Sequence, residues 1–268
     1  MKAMTTNNEK PVGLDLTNLK AQVPDFTPRR YLVYGNSMAG KTYFAQHFPK
    51  PLILSTDGNG VKNVAPTIDI RGWSEVSDDD RRLALEHGRN VASMTEVLGQ
   101  LQSVPKAVLP FETIVIDLID DLTPMLQRHA LARFLKDPTY RTYWSQATEF
   151  HPGLGFGRMS ILYNTEYSRM LSILKSLDLN VVFISYAVDY TDNHTKKECT
   201  KPALGRKDCD KVQGVCDMTI HLNRNSNNVY TSLVEAKRSS RGYKREEVSP
   251  AIAKVIDECN VQNFWALR

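Results

Sequence analysis

The stretch from Arg30 to Phe48, RYLVYGNSMAGKTYFAQHF, constrains this chain more than any other. A β-branched and aromatic run ends in Gly35, which predicts a strand, and KTYFAQHF predicts a helix stopped by Pro49 and Pro51. Between them, GNSMAGKT fits G-x-x-x-x-G-K-[ST] at every fixed position. Each residue type has a physical reason. Gly35 and Gly40 let the backbone wrap closely enough for its N–H groups to face phosphate oxygens. Lys41 can reach the outer phosphates and the Thr42 hydroxyl can bind Mg²⁺. The helix that follows presents its positive end to the anion. Gly35, Asn36, Ser37, Met38, Ala39, Gly40, Lys41, Thr42 and Tyr43 are therefore the candidate nucleotide contacts.

A phosphate cradle also needs a carboxylate to organise its metal. TIVID (Thr113–Asp117) ends a nearly continuous apolar strand, so Asp117 joins Thr42 as a candidate Mg²⁺ residue. Hydrolysis requires a further group to orient the attacking water. Two residues compete for that role: Asp57, closing the strand LILSTD, and Asp120, just beyond Asp117.

Alternating strands and helices, followed by two strands around NSNN, predict an α/β fold with a mainly parallel sheet and a terminal antiparallel hairpin. Residues 1–28 are polar and proline-punctuated and read as a flexible arm; 29–246 read as one core and 247–268 as a tail. Residues 81–103 read as one helix, with Leu83, Val91, Met94, Val97, Leu98 and Leu101 on its apolar side. Two segments, 137–157 and 189–213, lack periodicity and read as long loops.

Composition excludes little but shapes the rest. No apolar run nears the roughly 20 residues of a bilayer span, and the N-terminus lacks a signal-peptide core, so the expectation is a cytoplasmic protein without a membrane partner. Cys199, Cys209, Cys216 and Cys259 form no CxxC pair, which favours reduced thiols over a zinc site. The formal net charge of +4 permits a polyanionic partner without demanding one. KRSSRGYKR (237–245) concentrates five cations in nine residues.

Taken together, YLVYG with GNSMAGKT, FPKPLILSTDGNGVKNV, FETIVIDLIDDLT, NVVFISYAV and VEAKRSSRG resemble the phage RecA-like P-loop ATPases of the Sak-type single-strand annealing and recombination group, with a core akin to RadA and KaiC. The similarity runs from about Arg30 to Gly242. It implies a RecA-like ATPase using ATP and Mg²⁺, with Asp57 as catalytic carboxylate and Ser185 or Tyr186 as γ-phosphate sensor. It further implies a homo-oligomer in which a late cation enters the neighbouring subunit's site. Lys237 and Arg238 lie near the expected position, with Arg241 a third choice. The family's lysine and arginine are separated by one residue, whereas these two are adjacent, so the choice stays open.

The same resemblance implies single-stranded DNA as partner, held by the two long loops. Tyr140, Arg141 and Trp144 in the first offer stacking groups; Lys196, Lys197, Arg206 and Lys207 in the second offer phosphate contacts. A single-strand-binding or replication protein is a further partner. The alternative function is a nucleotide switch that loads or adapts a replication protein instead of gripping DNA. ATP is favoured over GTP through the resemblance, and no N-K-x-D guanine motif occurs.

Overall fold

A computed structural model describes residues 27–191, 196–225, 227, 229–237 and 243–265. Its strands are β1 (Arg30–Gly35), β2 (Pro51–Ser55), β3 (Thr67–Gly72), β4 (Val91–Ser93), β5 (Thr113–Asp117), β6 (Asn180–Thr191), β7 (Glu198–Pro202), β8 (Met218–His221), β9 (Ser232–Lys237) and β10 (Val261–Gln262). The helices are α1 (Lys41–Gln46), α2 (Asp78–Glu86), α3 (Met94–Ser103), α4 (Ile119–Lys136), α5 (Pro138–Trp144), α6 (Arg158–Ser176), α7 (Arg206–Val215) and α8 (Pro250–Glu258).

The sheet runs β10-β9-β8-β1-β6-β5-β2-β3-β4, with β7 extending β6 as an antiparallel ribbon. Every pairing from β8 through β1 to β4 is parallel, while β8 and β9 form the expected antiparallel hairpin. The fold is thus a mostly parallel mixed sheet flanked by helices. Because side chains alternate across a strand, each central strand feeds two cores. Leu32, Leu54, Ile116 and Phe183 face α3, α4, α6 and α7, whereas Val33, Ile53, Val115 and Ile184 face α1 and α8. Each of these fully buried side chains contributes about 1.5–3 kcal/mol relative to exposure.

Several segments differ from their sequence expectation. Residues 81–103 are not one helix: His87 closes α2, Val91 lies in β4, and α3 restarts at a capping box between Ser93 and Glu96. Leu83, assigned to the apolar side, is 48% exposed. The segment 137–157 carries α5, opened by Pro138 at its first position with the Asp137 side chain accepting from Thr139 N. The segment 189–213 holds the end of β6, all of β7 and the start of α7. Residues 250–264, read as part of a tail, form α8 and β10, and Ile252, Val255, Ile256 and Phe264 pack into the same core as α1. No described helix is long and apolar enough to cross a membrane.

Candidate nucleotide site

The site lies where the parallel strands end, the edge at which α/β sheets gather ligands. Register brings its parts together: Gly35 pairs with Tyr186, Asp117 with Ile184, and Ser55 with Asp117. The loop after β1 then turns sharply. Met38 and Gly40 both have positive φ, and Gly40 caps α1 in the left-handed region. A Cβ on Gly40 would meet the Tyr230 ring at 2.7 Å, and one on Gly35 would meet the Leu222 carbonyl oxygen at 2.1 Å. Glycine is therefore favoured by packing at both fixed positions, and at Gly40 by its left-handed backbone as well. Tyr230, which roofs the loop beside Arg224, was not picked out from sequence, and nothing in its local pattern marks it.

Lys41 is buried, and its ammonium donates to Gly35 O at 2.8 Å and Asn36 O at 2.9 Å. The Tyr186 ring lies 4.8 Å from the same nitrogen. Burial pulls the Lys41 pKa down, opposed by the charges of Asp117 and Asp120. Thr42 Oγ1 donates to Asp117 Oδ2 at 2.8 Å. Burial pushes the Asp117 carboxyl up to about 6, although Thr42 and Lys41 both pull it down. Two hard oxygen donors thus touch each other beside the lysine, one of them a carboxylate poor in water. Such a donor set suits Mg²⁺, which takes few protein oxygens and keeps several waters.

Asp57 stands at the exposed end of β2. Its Oδ1 accepts from Ser55 Oγ at 3.1 Å and Asn59 N at 2.9 Å, and its Oδ2 from Asn59 Nδ2 at 2.5 Å. It lines one cavity of about 310 Å³ together with Ser37, Lys41, Thr42, Asp117 and Tyr186. Gln46 and Asn63, hydrogen-bonded to each other at 2.9 Å, complete the wall and were missed in the sequence.

Asp120 is engaged differently from Asp57. It accepts from Ser185 Oγ at 2.8 Å and from Tyr186 N at 2.6 Å, and Ser185 Oγ in turn accepts from Ala203 N at 3.2 Å. Burial raises the Asp120 pKa against these hydrogen bonds. The acid therefore ties α4 to the end of β6. Thr56 makes a second tie: its Oγ1 accepts from Leu118 N at 2.7 Å and faces Leu118 O and Asp121 Oδ2 at 2.9 and 3.2 Å.

Against known families, the AAA domain matches residues 27–254. The chain belongs to the AAA domain family. Among solved structures, the crystal structure of the RadB recombinase is similar at 17% identity and a TM-score of 0.38, over 80% of this chain and 83% of that one. No curated protein matches the chain.

The remaining described candidate residues of this AAA domain do not line the cavity. Tyr43 is 43% exposed, its hydroxyl donating to Glu258 Oε2 at 3.0 Å and its ring against His47. Lys237 ends β9 opposite Met218, at the edge of the sheet remote from the cradle of its own chain, with Nζ 3.4 Å from Asn263 O. Arg238 and Arg241 lie outside the described residues. Tyr140 stacks on Phe134 at 4.8 Å and Trp144 packs beside both, while Arg141 is exposed. Lys196 and Lys197 are exposed before β7, and Arg206 and Lys207 are exposed in the first turn of α7. Cys216 and Cys259 are buried, and among the described residues no group of three or more His, Cys, Asp or Glu is arranged to hold a metal.

Proposed function

We propose that this protein hydrolyses ATP with Mg²⁺ and acts as a recombination ATPase that assembles on single-stranded DNA. One observation carries the nucleotide part. Thr42 and Asp117 meet at 2.8 Å beside Lys41, and all three share a cavity with Asp57. In this reading the Lys41 ammonium exchanges its two carbonyl acceptors for phosphate oxygens. The Thr42 hydroxyl and Asp117 carboxylate would hold Mg²⁺, which would neutralise charge developing on the phosphates. Asp57, which lines the cavity, orients the attacking water, whereas Asp120 does not line it and is bonded to Ser185 and Tyr186. Tyr186, over Lys41, and Ser185 beside it sense the outer phosphate.

The late cations belong to a neighbour's reaction in the same reading. Lys237 sits far from its own cradle, which suits a residue serving another subunit in trans, with Arg238 sharing the task. Assembly then becomes part of catalysis. Single-stranded DNA is held by the exposed cations Arg141, Lys196, Lys197, Arg206 and Lys207, with Tyr140 and Trp144 contributing ring surface.

The test is the ATPase rate measured without DNA, with duplex and with single-stranded DNA. Lys41→Ala abolishes hydrolysis, and single-stranded DNA raises the wild-type rate. A rate indifferent to every nucleic acid would sink the recombination reading and leave the ATPase standing. A second reading, a nucleotide switch that loads a replication protein, draws support from one feature: both Asp57 oxygens are bonded within their own loop. It requires a slow rate whatever DNA is added and a protein that stays monomeric with ATP.

A further inference from the structure

The loop that carries Asp57 is seated on charge. Upstream it is anchored by Thr56 N, which donates to Asp117 O at 2.8 Å. Downstream its fixed points are two glycines. Gly58, at φ +78°, comes so close to Arg71 that an added Cβ would lie 3.3 Å from Nη2 and 3.4 Å from Nη1. Gly60 is tighter still, its Cβ position falling 2.4 Å from Asp69 Oδ1. Asp69 and Arg71 are two residues apart on β3, where the pairing with β4 shifts register between Ile70 and Gly72, and Arg71 Nη2 still reaches Asp69 Oδ2.

Asp69 is itself held by two guanidinium groups. Its Oδ2 lies 3.4 Å from Arg71 Nη2 and 3.5 Å from Arg89 Nη1, with its own side chain only 6% exposed. The space beside this clamp is a cavity of about 270 Å³, lined by Gly60, Asn63, Thr67, Asp69 and Arg89 among others. A buried carboxylate with two arginines is costly to break by removing one partner. Of the two arginines, Arg71 is the one that packs against the loop, at Gly58, while Asn59 N to Asp57 Oδ1 and Asn63 N to Gly60 O close the loop from within.

We propose that Arg71, braced by Asp69, is a positioning residue for hydrolysis: its guanidinium sets the height of the loop that presents Asp57 to the nucleotide cavity. This rests on the role given to Asp57 above. Arg71 does not line the cavity, whereas Lys41, Thr42 and Asp117 do, so binding and turnover should separate. Arg89 contacts Asp69, but the atoms nearest Gly58 are those of Arg71, which makes Arg89 the natural control.

The experiment uses the full chain with ATP and Mg²⁺. In Arg71→Ala, kcat falls about tenfold while KM for ATP stays within about twofold, because a small misplacement of a reacting group costs rate before binding. Arg71→Lys recovers most of the loss, and Arg89→Ala stays within about threefold of wild type. Backbone hydrogen exchange quickens at residues 57–60 in Arg71→Ala and is unchanged in β1 and α1. If Arg71→Ala does not fold, Arg71→Gln carries the same comparison. A wild-type kcat in the folded Arg71 variant overturns the proposal, as does a loss of kcat matched by an equal loss of ATP affinity. Asp57→Asn, assayed in parallel, separates the two claims. A normal rate there removes Asp57 from the mechanism, whereas a slow Asp57→Asn beside a normal Arg71→Ala removes only the positioning role.

Discussion

At the residue scale, the cradle was legible because its chemistry is local. Gly35, Gly40, Lys41 and Thr42 need fixed spacing and a strand-to-helix turn, and both lie within one short stretch. The partners that complete it were harder to see. Tyr230 over Gly40 and the Leu222 carbonyl against Gly35 are close only after the sheet forms. That closeness gives a prediction. In Gly35→Ala the new methyl meets a backbone oxygen, which cannot swing aside as a side chain would. Stability falls by about 1–3 kcal/mol in urea denaturation, the usual cost of overpacking, and ATP affinity falls with it. Asp120 taught the reverse lesson. As an acid just after Asp117 it read as a catalytic candidate beside Asp57, and its bonds to Ser185 and Tyr186, which tie α4 to β6, could not be read from sequence.

Element by element, strands read better than the segments between them. β1, β2, β5 and β6 are near-continuous apolar runs, as strands buried on both faces must be. The interval 81–103 misled because its apolar spacing runs through a break. Yet S-M-T-E at 93–96 has capping-box spacing, and the structure uses it: Glu96 N donates to Ser93 Oγ, and Ser93 N to Glu96 Oε2. The Ser93 backbone N–H, with the Arg81 guanidinium, holds the Glu96 carboxyl below its usual range. Its stabilising effect is complete above the ordinary glutamate pKa and is lost as pH falls through the lowered one. Glu96→Gln should therefore cost about 1 kcal/mol or less at neutral pH. Thermal melts followed from pH 7 downward should also show a shallower acid loss than wild type. In the same way, Asp137 and Pro138 signalled α5 where a loop was expected.

For the whole molecule, the largest revision concerns residues 250–265. Amphipathic as α8 is, its partner surface comes from β1, α1 and β6, elements too distant in sequence for any window to reveal. Phe264 is fully buried there, 6.0 Å from Tyr243 and 5.0 Å from Trp265 by ring centres. Phe264→Ala should destabilise the protein by about 3–5 kcal/mol. Because α1 shares that core, urea curves followed by bound nucleotide and by circular dichroism should shift together; separate shifts would mean the C-terminal elements are an independent layer. The strand order has a further consequence, for synthesis. The strand that ends in the cradle, β1, is made early, but both its neighbours, β6 and β8, emerge from the ribosome much later. Pairings so far apart in the chain form slowly, and a growing chain long carries an exposed, unpaired β1. The cradle closes only once the Leu222 carbonyl has arrived beneath Gly35, so nucleotide capture by a nascent chain would report that synthesis has passed β8.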